Sequence, residues 1–216
     1  MKGMADSYRS VRGRCISEKT IEKSRFLSYC GHVTDEEEAR AFIAEIRATH
    51  PMATHNCYGF VADRTGALQR FSDDGEPQGT AGMPILDVIR NKGLFETAVV
   101  VTRYFGGIKL GAGGLVRAYS SSCAEVLDKA EICVWRRASE LAVSVDYPQI
   151  DAALKCFSRQ GAELTGSEYG VKVRYSLIVP AENEEAFRAA LSDATCGRAE
   201  CVRTGSSMKP FPESAI

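Results

Sequence analysis

The run from Arg103 to Ser120, RYFGGIKLGAGGLVRAYS, constrains this chain more than any other stretch. Five glycines occupy the nine positions 106–114, between an apolar, strand-like run from Thr97 to Thr102 and a helix-like run from about Gly113 to Lys129. Glycine weakens strand and helix interiors and is favoured where the backbone needs positive φ or a close approach. The segment therefore reads as strand, glycine turn, helix. Gly106, Gly107, Gly111, Gly113 and Gly114 would lead into a helix whose first N–H groups lack partners at the positive end of its dipole, which is a generic anion site. Arg103, Lys109 and Arg117 add positive side chains around it. The alternative is that the glycines only let strand and helix pack closely. No standard nucleotide signature is complete: Gly106 and Gly111 have P-loop spacing, but Ala112 stands where the lysine belongs, and Val116 replaces the last glycine of the dinucleotide fingerprint.

A second unusual stretch runs from Phe71 to Gly82. Asp73, Asp74 and Glu76 place three carboxylates within four residues, with Thr80 close behind. Such a set can ligate a hard cation such as magnesium beside a bound phosphate, or it can form a polar turn that caps its own backbone. A third candidate is His55 with Cys57, which alternate onto one face of a strand. A Cys–His pair can serve as nucleophile and base or as two metal ligands. Side chains two apart on a strand are poorly directed at each other, so a strand histidine beside a buried thiol is the plainer reading. Ser120 opens a run of three serines, but no G-x-S-x-G elbow surrounds it. Tyr104, with Phe105, Tyr119 and Tyr58, offers aromatic surface on which bases could stack, or simply core. No catalytic residue, metal ligand set or cofactor is assigned.

Charge excludes a strongly basic module. Lys plus Arg is 27 against 28 Asp plus Glu, and a division near Trp135 leaves 17 basic and 17 acidic residues before it and 10 and 11 after it. Nucleic-acid binding would therefore need a local patch. Eight cysteines include no C-x-x-C pair, which points to reduced thiols in a cytoplasmic protein rather than zinc or disulfides. The polar start carries no signal segment, and no apolar stretch approaches the roughly 20 residues that cross a bilayer, so no membrane association is expected.

The pattern predicts an α+β chain of two domains. Residues 1–7 read as a frayed start. Tyr8–Ser17 and Phe26–Val33 read as strands around a charged turn, Glu18–Arg25. Thr34 reads as the N-cap of a helix with Glu37 completing a capping box. Strands His55–Ala62 and Ala67–Ser72, a helix Pro84–Asn91 and a buried strand Glu96–Thr102 follow. Beyond Arg136 the order is strand Leu141–Val145, helix Gln149–Gln160, strands Glu163–Glu168 and Val171–Val179, helix Glu182–Leu191 and strand Arg198–Thr204. That is βαββαβ, a ferredoxin-like order. The domains are placed at 1–136 and 137–205, with a flexible tail over 206–216.

Four motifs in order, Lys23-Ser24-Arg25-Phe26, His55-Asn56-Cys57-Tyr58, Asp73 to Pro84 and Arg103 to Ser120, resemble the IMPACT/YigZ family. The chain from Arg137, with Asp146-Tyr147-Pro148 and Ser167-Glu168-Tyr169-Gly170, resembles the extra C-terminal domain of bacterial members. The resemblance implies a first domain like the second domain of a ribosomal small-subunit protein, shared with GHMP kinases, and a last domain like that of elongation factor G. Eukaryotic relatives regulate translation by binding the activator of an initiation-factor kinase, through an additional N-terminal domain with no counterpart here. The implied function is a non-enzymatic RNA- or ribosome-associated factor in translation. Alternatives are a magnesium-dependent enzyme or sensor of a small phosphorylated ligand, and a regulator that binds another protein. Ligand, partner and oligomeric state are not readable from the sequence.

Overall fold

The computed structural model describes residues 7–213. The expected frayed start, apart from Ser7, and the end of the expected tail lie outside the described residues. The chain divides into two compact units: one reaches Trp135 and resumes at Pro210, and the other is Arg136–Lys209.

The first unit contains β1 (Ser7–Val11), β2 (Arg14–Ile21), β3 (Ser24–His32), α1 (Glu36–Thr49), β4 (His55–Val61), β5 (Gln69–Ser72), α2 (Gly82–Asn91), β6 (Thr97–Tyr104) and α3 (Gly111–Lys129). Its sheet has the order β2-β3-β6-β4-β5, and every neighbouring pair is antiparallel. The central strand β6 explains the doubly apolar run. Val99 and Val101 join the core beneath α2 and α3 with Ile85, Ile89 and Cys123, whereas Ala98 and Val100 face Phe42, Ile43 and Ile46 of α1. Period-two alternation with both faces covered produces this pattern.

Two local expectations shift. The first strand is broken near Gly13 into β1 and β2, and the charged stretch Glu18–Ile21 belongs to β2. Its hairpin with β3 turns at Glu22 and Lys23, both at positive φ, as a two-residue hairpin turn requires. The charges stay on the sheet surface, where Glu18 accepts from Arg25 Nε at 2.8 Å. The N-cap of α1 is Asp35 rather than Thr34: its carboxylate accepts from Glu38 N at 2.8 Å, and Glu38 in turn accepts from Thr34 N and Oγ1.

β7 (Ile132–Val145) begins in the first unit and continues into the second. The second unit adds a 3₁₀ turn (Tyr147–Gln149) and α4 (Ile150–Arg159), β8 (Glu163–Tyr169), β9 (Val173–Pro180), a second 3₁₀ turn (Ala181–Asn183) and α5 (Glu184–Thr195), and β10 (Glu200–Pro212). The order is βαββαβ. β9 lies between β7 and β8, and β10 pairs with the other side of β7. Leu141, Val143, Tyr175 and Leu177 pack against Phe157 of α4 and Phe187 of α5. The last strand does not stop at Thr204 and give way to a mobile tail at Ser206. It runs to Pro212, because Thr204 Oγ1, Ser206 Oγ and Ser207 Oγ bond Glu140 O, Ala138 O and Glu140 Oε1 along β7. No helix among the described residues is long and apolar enough to cross a membrane.

Candidate functional site

The glycine turn connects β6 to α3 directly beside the β2–β3 hairpin. A Cβ at Gly106 would lie 2.0 Å from Lys23 O, so only glycine fits there. Gly106 N donates to Ser24 Oγ at 3.2 Å and Phe105 N to Thr54 Oγ1 at 3.1 Å, fixing the turn to two neighbouring segments. Gly107 and Gly111 take φ of 88° and 68°. α3 therefore starts at Gly111, slightly earlier than expected. Its N-cap is Leu110, with no side-chain cap and no acidic residue in the first turn. Gly111, Ala112 and Gly113 are exposed, leaving an open, positively polarised helix end.

The Asp73–Gly82 loop is organised by its own carboxylates. Asp73 Oδ1 accepts from Ala81 N and Gly82 N at 3.0 and 2.9 Å, and Oδ2 from Gly79 N at 2.8 Å. Asp74 Oδ2 accepts from Asn56 N at 2.6 Å, and Oδ1 pairs with Arg47. Thr80 Oγ1 closes the turn onto Pro77 O at 2.6 Å. Glu76 alone of the three carboxylates turns inward, where its Oε1 accepts from Arg103 Nη1 at 2.6 Å and Tyr119 OH at 2.7 Å. Of the two readings of these residues, the structure matches the polar turn that caps its own backbone: the carboxylates point apart, and these oxygens accept from N–H and O–H donors. No group of three or more His, Cys, Asp or Glu among the described residues is placed to hold a metal.

Arg103 also departs from the expected role. Its guanidinium lies between the rings of Phe26 and Phe105, each 5.4 Å away, and Nη2 donates to Ser24 Oγ at 3.2 Å. With a side chain only 5% exposed and its charge matched by Glu76, it supports the turn from below instead of offering itself to a phosphate. The residue that shares its carboxylate, Tyr119, is fully buried, edge-on to Phe26; burial, together with neighbouring Cys57 and Glu76, pushes its phenol pKa far up, so it is a fixed donor.

His55 and Cys57 do not form a catalytic pair. Cys57 Sγ donates to Asp73 O at 2.9 Å inside the core, and burial pushes its thiol pKa well above the ordinary value, which suppresses the thiolate. His55 Nδ1 bonds Asp74 O at 2.8 Å; a carbonyl only accepts, so Nδ1 carries a proton and donates it there, while Nε2 lies 3.8 Å from Glu76 Oε1. Tyr104, next in the β6 alternation after Arg103, leaves this site and bonds His50 Nδ1 at 2.9 Å. Ser120 is bonded to Val116 O within its helix.

The two loops meet around a cavity of about 420 Å³. Thr54, His55, Glu76, Arg103, Phe105, Lys109 and Gly111 are among the residues that line it. Lys109 also borders a second cavity of about 440 Å³, with Glu22, Ile108, Gly114, Arg117 and Ser121. Of the anticipated residues, Lys109, Arg117 and the helix N-terminus are solvent-facing, while Asp73, Asp74, Thr80 and Cys57 build the scaffold. Ser24 was not anticipated as a site component, and Tyr119 takes the core role, one of the two offered for it, while bonding Glu76. The Tyr119 signal lay in the helical spacing Leu115, Ala118, Tyr119, Ser122, which marks one buried face.

The Impact N-terminal domain family matches residues 22–127, and a domain of unknown function, DUF1949, matches residues 143–198. The chain is 37% identical over 197 residues to IMPACT family member YvyE of Bacillus subtilis, with 91% of each chain covered. It is 36% identical over 179 residues to IMPACT family member YigZ of Escherichia coli, covering 82% of this chain and 88% of the other. A solved structure described as that of a hypothetical protein superposes with a TM-score of 0.60 at 32% identity, over 93% of this chain and 98% of that one. With both segments matched and relatives similar along nearly its whole length, the chain belongs to the IMPACT family.

Proposed function

We propose that this protein is a cytoplasmic, non-enzymatic RNA- or ribosome-associated factor that acts in translation or its regulation. The observation that carries the reading is the exposed, uncapped N-terminus of α3 flanked by Lys109, Arg117 and the half-exposed ring of Phe105. Helix-end N–H groups and exposed cations bind phosphate, and an exposed aromatic ring beside them stacks an unpaired base. The βαββαβ second unit accords with the elongation-factor type of domain that the family resemblance implies. All eight cysteines are free thiols, in keeping with a reducing compartment. Two residues considered as nucleophiles have structural roles: Cys57 is held as a thiol and Ser120 is tied to its own helix.

Filter binding of single-stranded RNA at two salt concentrations tests the reading. Retention at low salt that falls steeply as salt rises is the expected result, because phosphate contacts release counterions. No retention at low salt would overturn it. A second reading, a sensor of a small phosphorylated ligand, is favoured by the cavity that Phe105 and Lys109 border. It requires no magnesium, since the loop carboxylates are engaged elsewhere. Stabilisation by one phosphorylated metabolite in a thermal-shift screen, with no response to RNA, would decide for it.

A further inference from the structure

We infer that Cys15 and Cys30 are a peroxide-responsive modification site, two thiols facing each other across the β2–β3 ladder that oxidation joins as a reversible disulfide. Neither lines the two cavities at the glycine turn, and the inference is independent of the RNA reading.

β2 and β3 pair antiparallel, and their register sets Cys15 directly opposite Cys30. Residues so placed project from the same face with Cα atoms about 4.5 or 5.5 Å apart, and both spacings fall within the roughly 4.4–6.8 Å that a disulfide spans. The shared face is the one that packs on α3: Cys30 belongs to the core with Phe26, Cys123 and Leu127, and Cys15 packs against that core. Burial pushes the Cys30 thiol pKa up to about 12; the Cys15 thiol adds to the rise, and a hydrogen bond with the Cys15 backbone offsets part of it. Cys15 is half-buried, and the one hydrogen-bond contact of its sulfur among the described residues is to Ile16 O at 4.0 Å. Cys123 is placed differently, since it is fully buried and its sulfur donates to Ile85 O at 3.7 Å.

The accessible member reacts first. A Cys15 thiolate attacks one oxygen of hydrogen peroxide, the O–O bond breaks, and the departing hydroxide takes up a proton and leaves as water. The product is a sulfenic acid. The Cys30 sulfur then attacks the Cys15 sulfur, the S–O bond breaks, and the hydroxide leaves with the Cys30 proton as a second water. Two thiols lose two electrons, and the peroxide gains them. Cys30 is too poorly ionised for the first step, but its place opposite Cys15 makes the second step intramolecular. Strain makes the bond reversible. Opposite Cβ atoms in a sheet stand about 4.5–5.5 Å apart, whereas a relaxed disulfide holds them at about 3.8 Å. Strained disulfides are the readily reduced, regulatory ones. β2 is the edge strand of its sheet, so it can be drawn towards β3 without breaking a ladder on its other side. It also carries Lys19, which bonds Ser121 of α3 at 2.9 Å, so the bond acts on a strand that seats α3.

Mass spectrometry of the native full chain tests the proposal. The reduced protein is treated with hydrogen peroxide, its remaining thiols are blocked with N-ethylmaleimide in denaturant, and it is digested with trypsin. The expected main product is a cross-link between peptides 15–19 and 26–40, lighter by two hydrogens than the two reduced peptides together. Excess reduced glutathione, added to the oxidised protein before blocking, should reopen it. Cys15→Ser, with its fold checked by circular dichroism, should leave peptide 26–40 unlinked and its thiol blocked. The wild-type arm needs no variant to fold. Recovery of Cys15 and Cys30 unlinked after peroxide, or of either joined to another cysteine such as Cys123 or Cys196, would overturn the site. A cross-link that glutathione leaves intact would overturn its reversibility.

Discussion

Arg103 Nη1 meets Glu76 Oε1 at 2.6 Å with neither side chain more than 5% exposed, so a strand end and a loop are joined by a fully buried ion pair. Its geometry is reinforced by Tyr119 on the carboxylate and Ser24 on the guanidinium. Removing one member strands the other charge in the core. Glu76→Ala should therefore destabilise the first unit by about 3–5 kcal/mol. The double change Glu76→Ala with Arg103→Ala should cost clearly less than the sum of the two single changes. Urea titration followed by fluorescence of Trp135, the single tryptophan and a member of that unit, measures both. Strict additivity would show that the pair contributes nothing as a pair.

The glycine turn should respond unequally to alanine. At Gly106 the added carbon would overlap the Lys23 carbonyl, and both are backbone, so the hairpin or the turn must move. Gly111 meets nothing within 4 Å and suffers only from φ of 68°. Gly111→Ala should cost about 1–2 kcal/mol. Gly106→Ala should cost more and should also weaken RNA binding, because it displaces the start of α3. Thermal melts of the two variants side by side give the ranking, and a milder Gly106→Ala would contradict the packing seen here.

These two sites show what the sequence makes legible. The strand–turn–helix order is written in the apolar run, the glycines and the helical spacing of Leu115, Ala118 and Tyr119, all local signals. The carboxylate cluster was visible too, but its members look alike in one dimension. Which of Asp73, Asp74 and Glu76 caps backbone and which enters the core depends on Arg103 and Tyr119, 27 and 43 residues beyond Glu76. Arg103 was misread for the same reason: its neighbours in sequence suggest an exposed cation, whereas β6 is the central strand and buries every inward-facing side chain. The extent of β10 escaped because its polar residues bond β7 across the open sheet surface, where no hydrophobic pattern marks a strand.

Acid should loosen the second unit through Glu184. Burial alone would raise its carboxyl pKa, but hydrogen bonds from Ser139, Arg203 and Arg188 hold it down at about 2. A folded-state pKa below the unfolded value contributes stability that is present above the unfolded pKa, near 4.5, and is lost as pH falls towards about 2. Glu184→Gln should lower stability at neutral pH and flatten the stability profile between those values. Circular dichroism melts across the interval compare the two proteins, and parallel profiles would remove Glu184 as the titrating group.

Lys109 and Arg117 separate a phosphate-binding surface from a merely structural turn. Both are exposed, and neither contributes to a hydrophobic core, so alanine at either position should leave thermal stability nearly unchanged. If each contacts one phosphate, its removal should reduce the slope of log affinity against log salt by about 0.7 for single-stranded RNA. The loss should be similar for every sequence, since phosphate contacts position without specifying. Lys109 borders both cavities and Arg117 only the second. Lys109→Ala should therefore weaken short oligomers more than Arg117→Ala, whereas longer RNA should feel both. Unchanged slopes in both variants would move the binding surface away from the glycine turn.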